Sequence, residues 1–186
     1  MGYKQSQGDH TLFIKHSAAG GVTALIVYVD DIIVTGNDPL EKESLKKKLA
    51  AEFEIKDLGK LKYFLGIEVA QSEKEIFISQ QKYILDLLKE TGMIGCKPCD
   101  TPIEPGQKLD ISEEEGVDKG QYQRLVGKLI YLSHRRPDIA FAISVISQFM
   151  HNPKKSHLQS AYRVLKYLKA TPGKGILYRR NETLRL

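Results

Sequence analysis

Two adjacent carboxylates, Asp30 and Asp31, interrupt the run Leu25-Ile26-Val27-Tyr28-Val29-Asp30-Asp31-Ile32-Ile33-Val34, which would otherwise be a fully buried strand. The flanking apolar residues place the pair at the tip of a β-hairpin. Tight two-residue turns prefer Asn-Gly or Asp-Gly, because positive φ is needed there and glycine adopts it cheaply. Asp-Asp suits that geometry badly, and two like charges at the rim of an apolar sheet repel each other. A divalent cation removes both objections. Magnesium takes hard oxygen ligands from one or two carboxylates and leaves its other positions to water and substrate phosphates. In two-metal phosphoryl transfer, one ion activates the attacking hydroxyl and the other stabilises the leaving pyrophosphate. The residues alone leave two readings, a metal-binding tip or a plain turn that happens to be Asp-Asp, and favour the first.

The elements around this tip follow from pattern. Residues 12–15 and 22–29 read as strands around the loop Ala18-Ala19-Gly20-Gly21, and residues 32–34 as a third. Asp38 followed by Pro39 is a helix start, with Asp38 as N-cap and Pro39 in the first helical position. Leu45, Leu49 and Phe53 then form one buried stripe. Residues 62–69 alternate, Tyr63, Leu65, Ile67 and Val69 facing one way, and are expected to form a hairpin with residues 76–78 across a polar turn. A helix over residues 81–91 buries Ile84, Leu87 and Leu88 and ends at Gly92.

Residues 95–120 hold Pro98, Pro102, Pro105, four glycines and the run Glu113-Glu114-Glu115, and read as a linker or long loop. Beyond it Tyr122, Leu125, Val126, Leu129 and Ile130 have helical spacing. Residues 139–150 are apolar nearly all round, which predicts a central helix. Leu158, Ala161, Tyr162, Leu165 and Leu168 mark a third helix with Lys155, Arg163 and Lys166 along its flank. Residues 175–178 form a closing strand. The expected segments are therefore 1–79, 80–120 and 121–186, in an α+β chain without internal repeats.

The net charge of +5 hides an asymmetry: residues 1–120 carry 15 basic and 21 acidic side chains, residues 121–180 carry 12 basic side chains and Asp138. Such a single-sign field either steers a polyanion or is a solvated surface. Cys96 and Cys99 form one Cys-x-x-Cys with no second pair to complete a zinc site, and the five histidines are scattered, so free thiols in a reducing compartment are expected. The longest apolar run is far short of the roughly 20 residues of a membrane span. No secretory leader is visible, and Tyr3 makes Met1-Gly2-Tyr3-Lys4-Gln5-Ser6 a poor myristoylation signal. An intracellular protein, in a cytoplasmic particle or the nucleus, with no membrane partner is the expectation.

Tyr28-Val29-Asp30-Asp31 resembles the YxDD motif of reverse transcriptases, in the form typical of copia-type LTR retrotransposons. The resemblance extends through Phe53-Glu54-Ile55-Lys56-Asp57-Leu58-Gly59 and Tyr63-Phe64-Leu65-Gly66-Ile67-Glu68-Val69. It continues in Leu125-Val126-Gly127-Lys128-Leu129, Arg136-Pro137-Asp138-Ile139-Ala140, Arg163-Val164-Leu165-Lys166-Tyr167-Leu168-Lys169 and Thr171-Pro172-Gly173. It implies an RNA-directed DNA polymerase (a nucleotidyltransferase) using Mg2+, with an RNA or DNA template-primer and deoxynucleotides as partners. Asp30 then matches the carboxylate that binds catalytic metal, Asp31 its less directly involved neighbour, and Tyr28 a side chain beneath the primer end. Phe64, Leu65 and Gly66 match the primer grip. Lys56 or Lys60 is positioned in sequence to protonate pyrophosphate, although a solvated surface lysine is the commoner role.

By the same resemblance the chain is a partial palm, antiparallel strands with a packed helix, followed by helical thumb-like and connection-like parts. The family's third carboxylate and fingers have no counterpart before Leu12. They are expected, with ribonuclease H, from the remainder of a polyprotein. Lys155, Arg163 and Lys166 become candidate nucleic-acid contacts. Two other readings stay open: an inactive or repurposed fragment that binds nucleic acid, and a metal-dependent nuclease needing a full carboxylate cluster near Asp30.

Overall fold

The computed structural model describes residues 1–104, 106, 109 and 115–179; residues 180–186 and most of the acidic stretch, including Glu113 and Glu114, lie outside the described residues. The fold is mixed α/β, with two antiparallel sheets and five helices among the described residues. It divides into two compact units, Met1–Leu61 and Lys62–Leu186. This division cuts through the segment 1–79 that the sequence groups together.

The first unit is a meander of Lys4–Gln5 (β1), Leu12–His16 (β2), Val22–Tyr28 (β3) and Asp31–Gly36 (β4), in the order β1-β2-β3-β4. Alternation sends Phe13, Leu25 and Val34, which are cross-strand partners, toward one face. The helix Pro39–Glu52 (α1) covers this face with Leu45 and Leu49. Its start follows the sequence: the Asp38 carboxylate accepts the Glu41 N–H at 2.9 Å. Gly36 ends β4 at φ 137°, where a Cβ would lie 2.1 Å from the Val22 carbonyl oxygen, so no other residue fits. The buried stripe stops earlier than expected. Leu45 is 1% exposed but Phe53 is 61% exposed, because the helix ends at Glu52 and Phe53 turns into extended backbone.

In the second unit, residues 62–69 are not one strand. Tyr63–Phe64 (β5) and Ile67–Gln71 (β6) pair with each other across a turn of Leu65 and Gly66. Ile67–Gln71 also pairs with Glu75–Ser79 (β7), and Gly175–Arg179 (β8) completes the sheet β5-β6-β7-β8. The helix Gln81–Glu90 (α2) buries Ile84, Leu87 and Leu88 as expected. It closes with Gly92 at φ 68°, the Gly92 and Met93 N–H groups donating to the Lys89 and Leu88 carbonyls.

Lys119–Ser133 (α3), Pro137–Ser147 (α4) and Lys155–Ala170 (α5) supply most of the large core. Tyr122 is fully buried, and its hydroxyl donates to the Ile146 carbonyl at 2.7 Å. The fourth helix is shorter and less enclosed than its composition suggests. It ends at Ser147, and only the stripe Ile139, Ala142, Ile143 and Ile146 is buried, leaving Phe141 72% exposed. No helix among the described residues is long and apolar enough to cross a membrane.

Candidate functional site

β3 and β4 form the expected hairpin, with Tyr28 paired to Asp31 across its last rung. The turn is therefore Val29 and Asp30, one residue earlier than an Asp-Asp turn. This shift places the two carboxylates in different backbone settings. Asp30 occupies the second turn position, whereas Asp31 opens β4, and both are exposed. Val29 takes the positive φ, 51°, and is 83% exposed. A β-branched residue is a steric outlier there, so the hairpin ladder must hold it against a local cost of about 1–2 kcal/mol.

Among the described residues, neither Asp30 nor Asp31 has a hydrogen-bonding or cationic side-chain partner. Two neighbouring carboxylates in water-facing positions offer hard oxygens of the kind magnesium takes. They would fill part of a coordination shell: no group of three potential ligands from His, Cys, Asp and Glu occurs among the described residues. Lys56 and Lys60 are exposed on an irregular stretch of the first unit.

Phe64, Leu65 and Gly66 lie in the second unit at the β5–β6 turn. Leu65 adopts φ 49° and Gly66 φ 78°, the two positive values that a tight hairpin turn uses. Among the described residues, Val29 and Leu65 are the non-glycine positions with positive φ, one in each motif hairpin. Sequence reasoning singles out none of the groups that surround the second turn. Tyr131 of α3 donates its hydroxyl hydrogen to the Leu65 carbonyl and packs against Tyr83, ring centroids 5.4 Å apart. No local pattern could have found it, because the carbonyl that Tyr131 meets lies 66 residues away in sequence.

Of the three candidate basic contacts on α5, Lys155 and Lys166 are exposed. Arg163 is engaged: its guanidinium donates to the Thr101 carbonyl (3.2 Å) and hydroxyl (3.0 Å) and pairs with Glu104 at 3.4 Å. Arg163 and Lys166 line a cleft of about 610 Å³ with Lys97, Cys96 and Cys99. Both cysteines are free thiols, and the Cys99 thiol lies within hydrogen-bonding distance of the Thr101 and Arg163 carbonyls. His157, at the start of α5, is a structural residue. Its Nδ1 accepts the Lys154 N–H, its Nε2 meets the Leu109 carbonyl at 2.7 Å, and its ring stacks on Phe149.

The motif Arg136-Pro137-Asp138 also resolves into structure. Arg136 is 2% exposed and holds both oxygens of Asp138 at 3.0 and 2.8 Å. The same guanidinium donates to the carbonyl and hydroxyl of Thr171, and the Tyr167 hydroxyl donates to Asp138. Burial raises the Asp138 pKa, but the bonds from Arg136 and Tyr167 outweigh it and leave the carboxyl below its ordinary value. This network ties the start of α4 to the end of α5.

The family described as reverse transcriptase (RNA-dependent DNA polymerase) matches residues 1–105. The Retrovirus-related Pol polyprotein from transposon RE1 of Arabidopsis thaliana is 42% identical over all of this chain and 13% of its own length. The corresponding polyprotein from transposon RE2 of the same plant is 37% identical over the same shares. An uncharacterized mitochondrial protein of Arabidopsis thaliana is 36% identical over 86% of this chain and 67% of its own length. No solved structure matches. The chain thus spans 13% of the length of the two polyproteins. It belongs to the reverse transcriptase (RNA-dependent DNA polymerase) family, in the form found in copia-type retrotransposon Pol polyproteins.

Proposed function

We propose that the chain supplies the metal-binding hairpin and primer-positioning parts of an RNA-directed DNA polymerase that works within a larger polyprotein. The carrying observation is the exposed pair Asp30 and Asp31 beside the strained Val29. Asp30 would be the principal ligand to Mg2+, with Asp31 beside it and Tyr28 under the primer terminus. Bound there, magnesium would lower the pKa of the primer hydroxyl and neutralise charge on the leaving pyrophosphate. The hairpin's task is to hold the Asp30 oxygens at a fixed place with little reorganisation, which is what gives electrostatic stabilisation its strength. Phe64, Leu65 and Gly66 would set the primer strand. In this reading the first unit and the β5–β7 strands are palm, α2 is thumb-like, and the helices after residue 120 are connection-like. Further carboxylates, fingers and ribonuclease H belong to other parts of the polyprotein.

The test is primer extension by a Pol polyprotein carrying this chain. Asp30→Asn should lower the rate by at least about a hundred-fold, with template-primer affinity unchanged. The isolated chain should extend no primer. Extension by the chain alone, abolished by Asp30→Asn, would contradict the division of labour proposed.

A second reading is favoured by two observations: the short mitochondrial relative, two thirds of which this chain covers, and the basic excess of residues 121–180. Here the chain is an inactive or repurposed module that binds duplex nucleic acid through phosphates, with Lys155, Arg163 and Lys166 among its contacts. Binding would weaken linearly on a log–log plot against salt. Charge reversal at those three positions should flatten the slope; an unchanged slope would mark them as solvated surface.

A further inference from the structure

Leu65 holds a positive φ on a turn that is 41% exposed at its side chain, and turns of this kind drift unless something fixes them. Here the fixing groups come from helices. The Tyr131 hydroxyl donates to the Leu65 carbonyl, the acceptor at the strained residue itself. Tyr131 is in turn held by the Tyr83 ring on α2 and by the Arg135 guanidinium, 4.9 Å from its own ring centroid. Tyr83 also closes on the turn from its other residue: a Cβ on Gly66 would stand 3.4 Å from the Tyr83 ring. Lys128 on α3 pairs with Glu90 on α2, a second link between the two helices that supply these tyrosines. A second cation, Lys82, rests over the Tyr63 ring on the strand entering the turn, 5.6 Å from its centroid.

We propose that Tyr131 is a positioning residue that fixes the shape of the Leu65 and Gly66 turn so that it seats the recessed 3′ end of a duplex. The inference rests on the reading of Phe64, Leu65 and Gly66 as primer-positioning. It adds the residue that sets their geometry and the substrate feature they discriminate. Arg135 and Lys82, each lying on a ring attached to the turn, are the cations available to the phosphates flanking that end. Tyr131 acts through the turn and does not touch the nucleic acid.

The experiment uses the full chain and fluorescence anisotropy with two probes of equal duplex length, one blunt and one with a recessed 3′ end. Wild-type protein should prefer the recessed probe. Tyr131→Phe, which keeps the ring and removes only the hydroxyl, should lower that preference about five-fold, the worth of one net hydrogen bond. Blunt-duplex affinity should stay the same, and the melting temperature should fall by no more than about 4 °C, the same bond's worth in stability. The Leu65 and Gly66 amide resonances should move in the variant. Wild-type protein with no end preference would overturn the primer-positioning reading and the inference with it. A preference retained in Tyr131→Phe would overturn the inference alone. A preference lost while the turn resonances stay in place would also overturn it, because Tyr131 would then be a direct contact.

Discussion

The two motif hairpins solve one backbone problem in different ways. Each puts a branched apolar residue at positive φ, Val29 at 51° and Leu65 at 49°. The Leu65 turn is braced by a tyrosine hydroxyl and an aromatic ring from two helices of a unit with a large core. The Val29 turn has its ladder partners and, below them, a core of three buried residues, Leu25, Leu45 and Leu49. The braced turn is suited to hold a shape against a large ligand. The other leaves Asp30 and Asp31 open to solvent and to whatever cation or neighbour meets them. Shape at one turn is supplied by side chains from neighbouring helices; at the other the cross-strand ladder carries it.

That contrast can be broken from the braced side by attacking the frame that carries Tyr131. Arg136 follows shortly after the end of α3 and is buried with Asp138 as its carboxylate. Asp138→Ala should destabilise the second unit by about 3 kcal/mol, since the buried guanidinium loses its carboxylate and keeps the Thr171 carbonyl and hydroxyl; equilibrium denaturation followed by helical circular dichroism measures this. From the other side, Leu45→Ala should cost about 3 kcal/mol by emptying most of a small core. It should appear as faster amide exchange in β3 and β4.

A milder form of the first experiment uses pH. The Asp138 carboxyl is depressed in the folded state, so its contribution is fully present above its unfolded value near 3.8. That contribution is lost as pH falls through the lower folded value. The acid loss should be smaller in the denaturation profile of Asp138→Asn, what remains coming from other depressed carboxyls such as Asp38 and Asp57. The smallest effect is expected at Val29. Val29→Gly relieves the steric cost but adds unfolded-state freedom, for a net stabilisation of about 0.5–1 kcal/mol by thermal denaturation.

Local signals in the sequence specify several of these elements. The hairpin around Tyr28, the Asp38 and Pro39 helix start, and the Ile84, Leu87 and Leu88 stripe each depend on a few neighbouring residues. What failed depends on the chain's path. The alternation of Tyr63, Leu65, Ile67 and Val69 is compatible with one strand, and Gly66 was the sole hint that it folds back. Phe53 has the spacing of a buried helical residue but falls just past the helix end. Phe141 shares an apolar helix with Ile143 yet faces away from the core. The pairing of Gly175–Arg179 with Glu75–Ser79 spans a hundred residues, and no local pattern encodes it. For the candidate site, Asp30 and Asp31 were legible as types, while the placement of the turn at Val29 and Asp30 was not. Tyr131 was silent because its role comes from a carbonyl 66 residues away.

The central claim, that the Val29 hairpin presents Asp30 and Asp31 to a divalent ion, is tested most directly by Mn2+ titration of the isotopically labelled chain. Paramagnetic broadening should centre on the amides of residues 28–32, be reversed by competing Mg2+, and vanish in an Asp30→Asn, Asp31→Asn double variant. Broadening that spreads over the acidic surface, or that persists at residues 28–32 in the double variant, would contradict it.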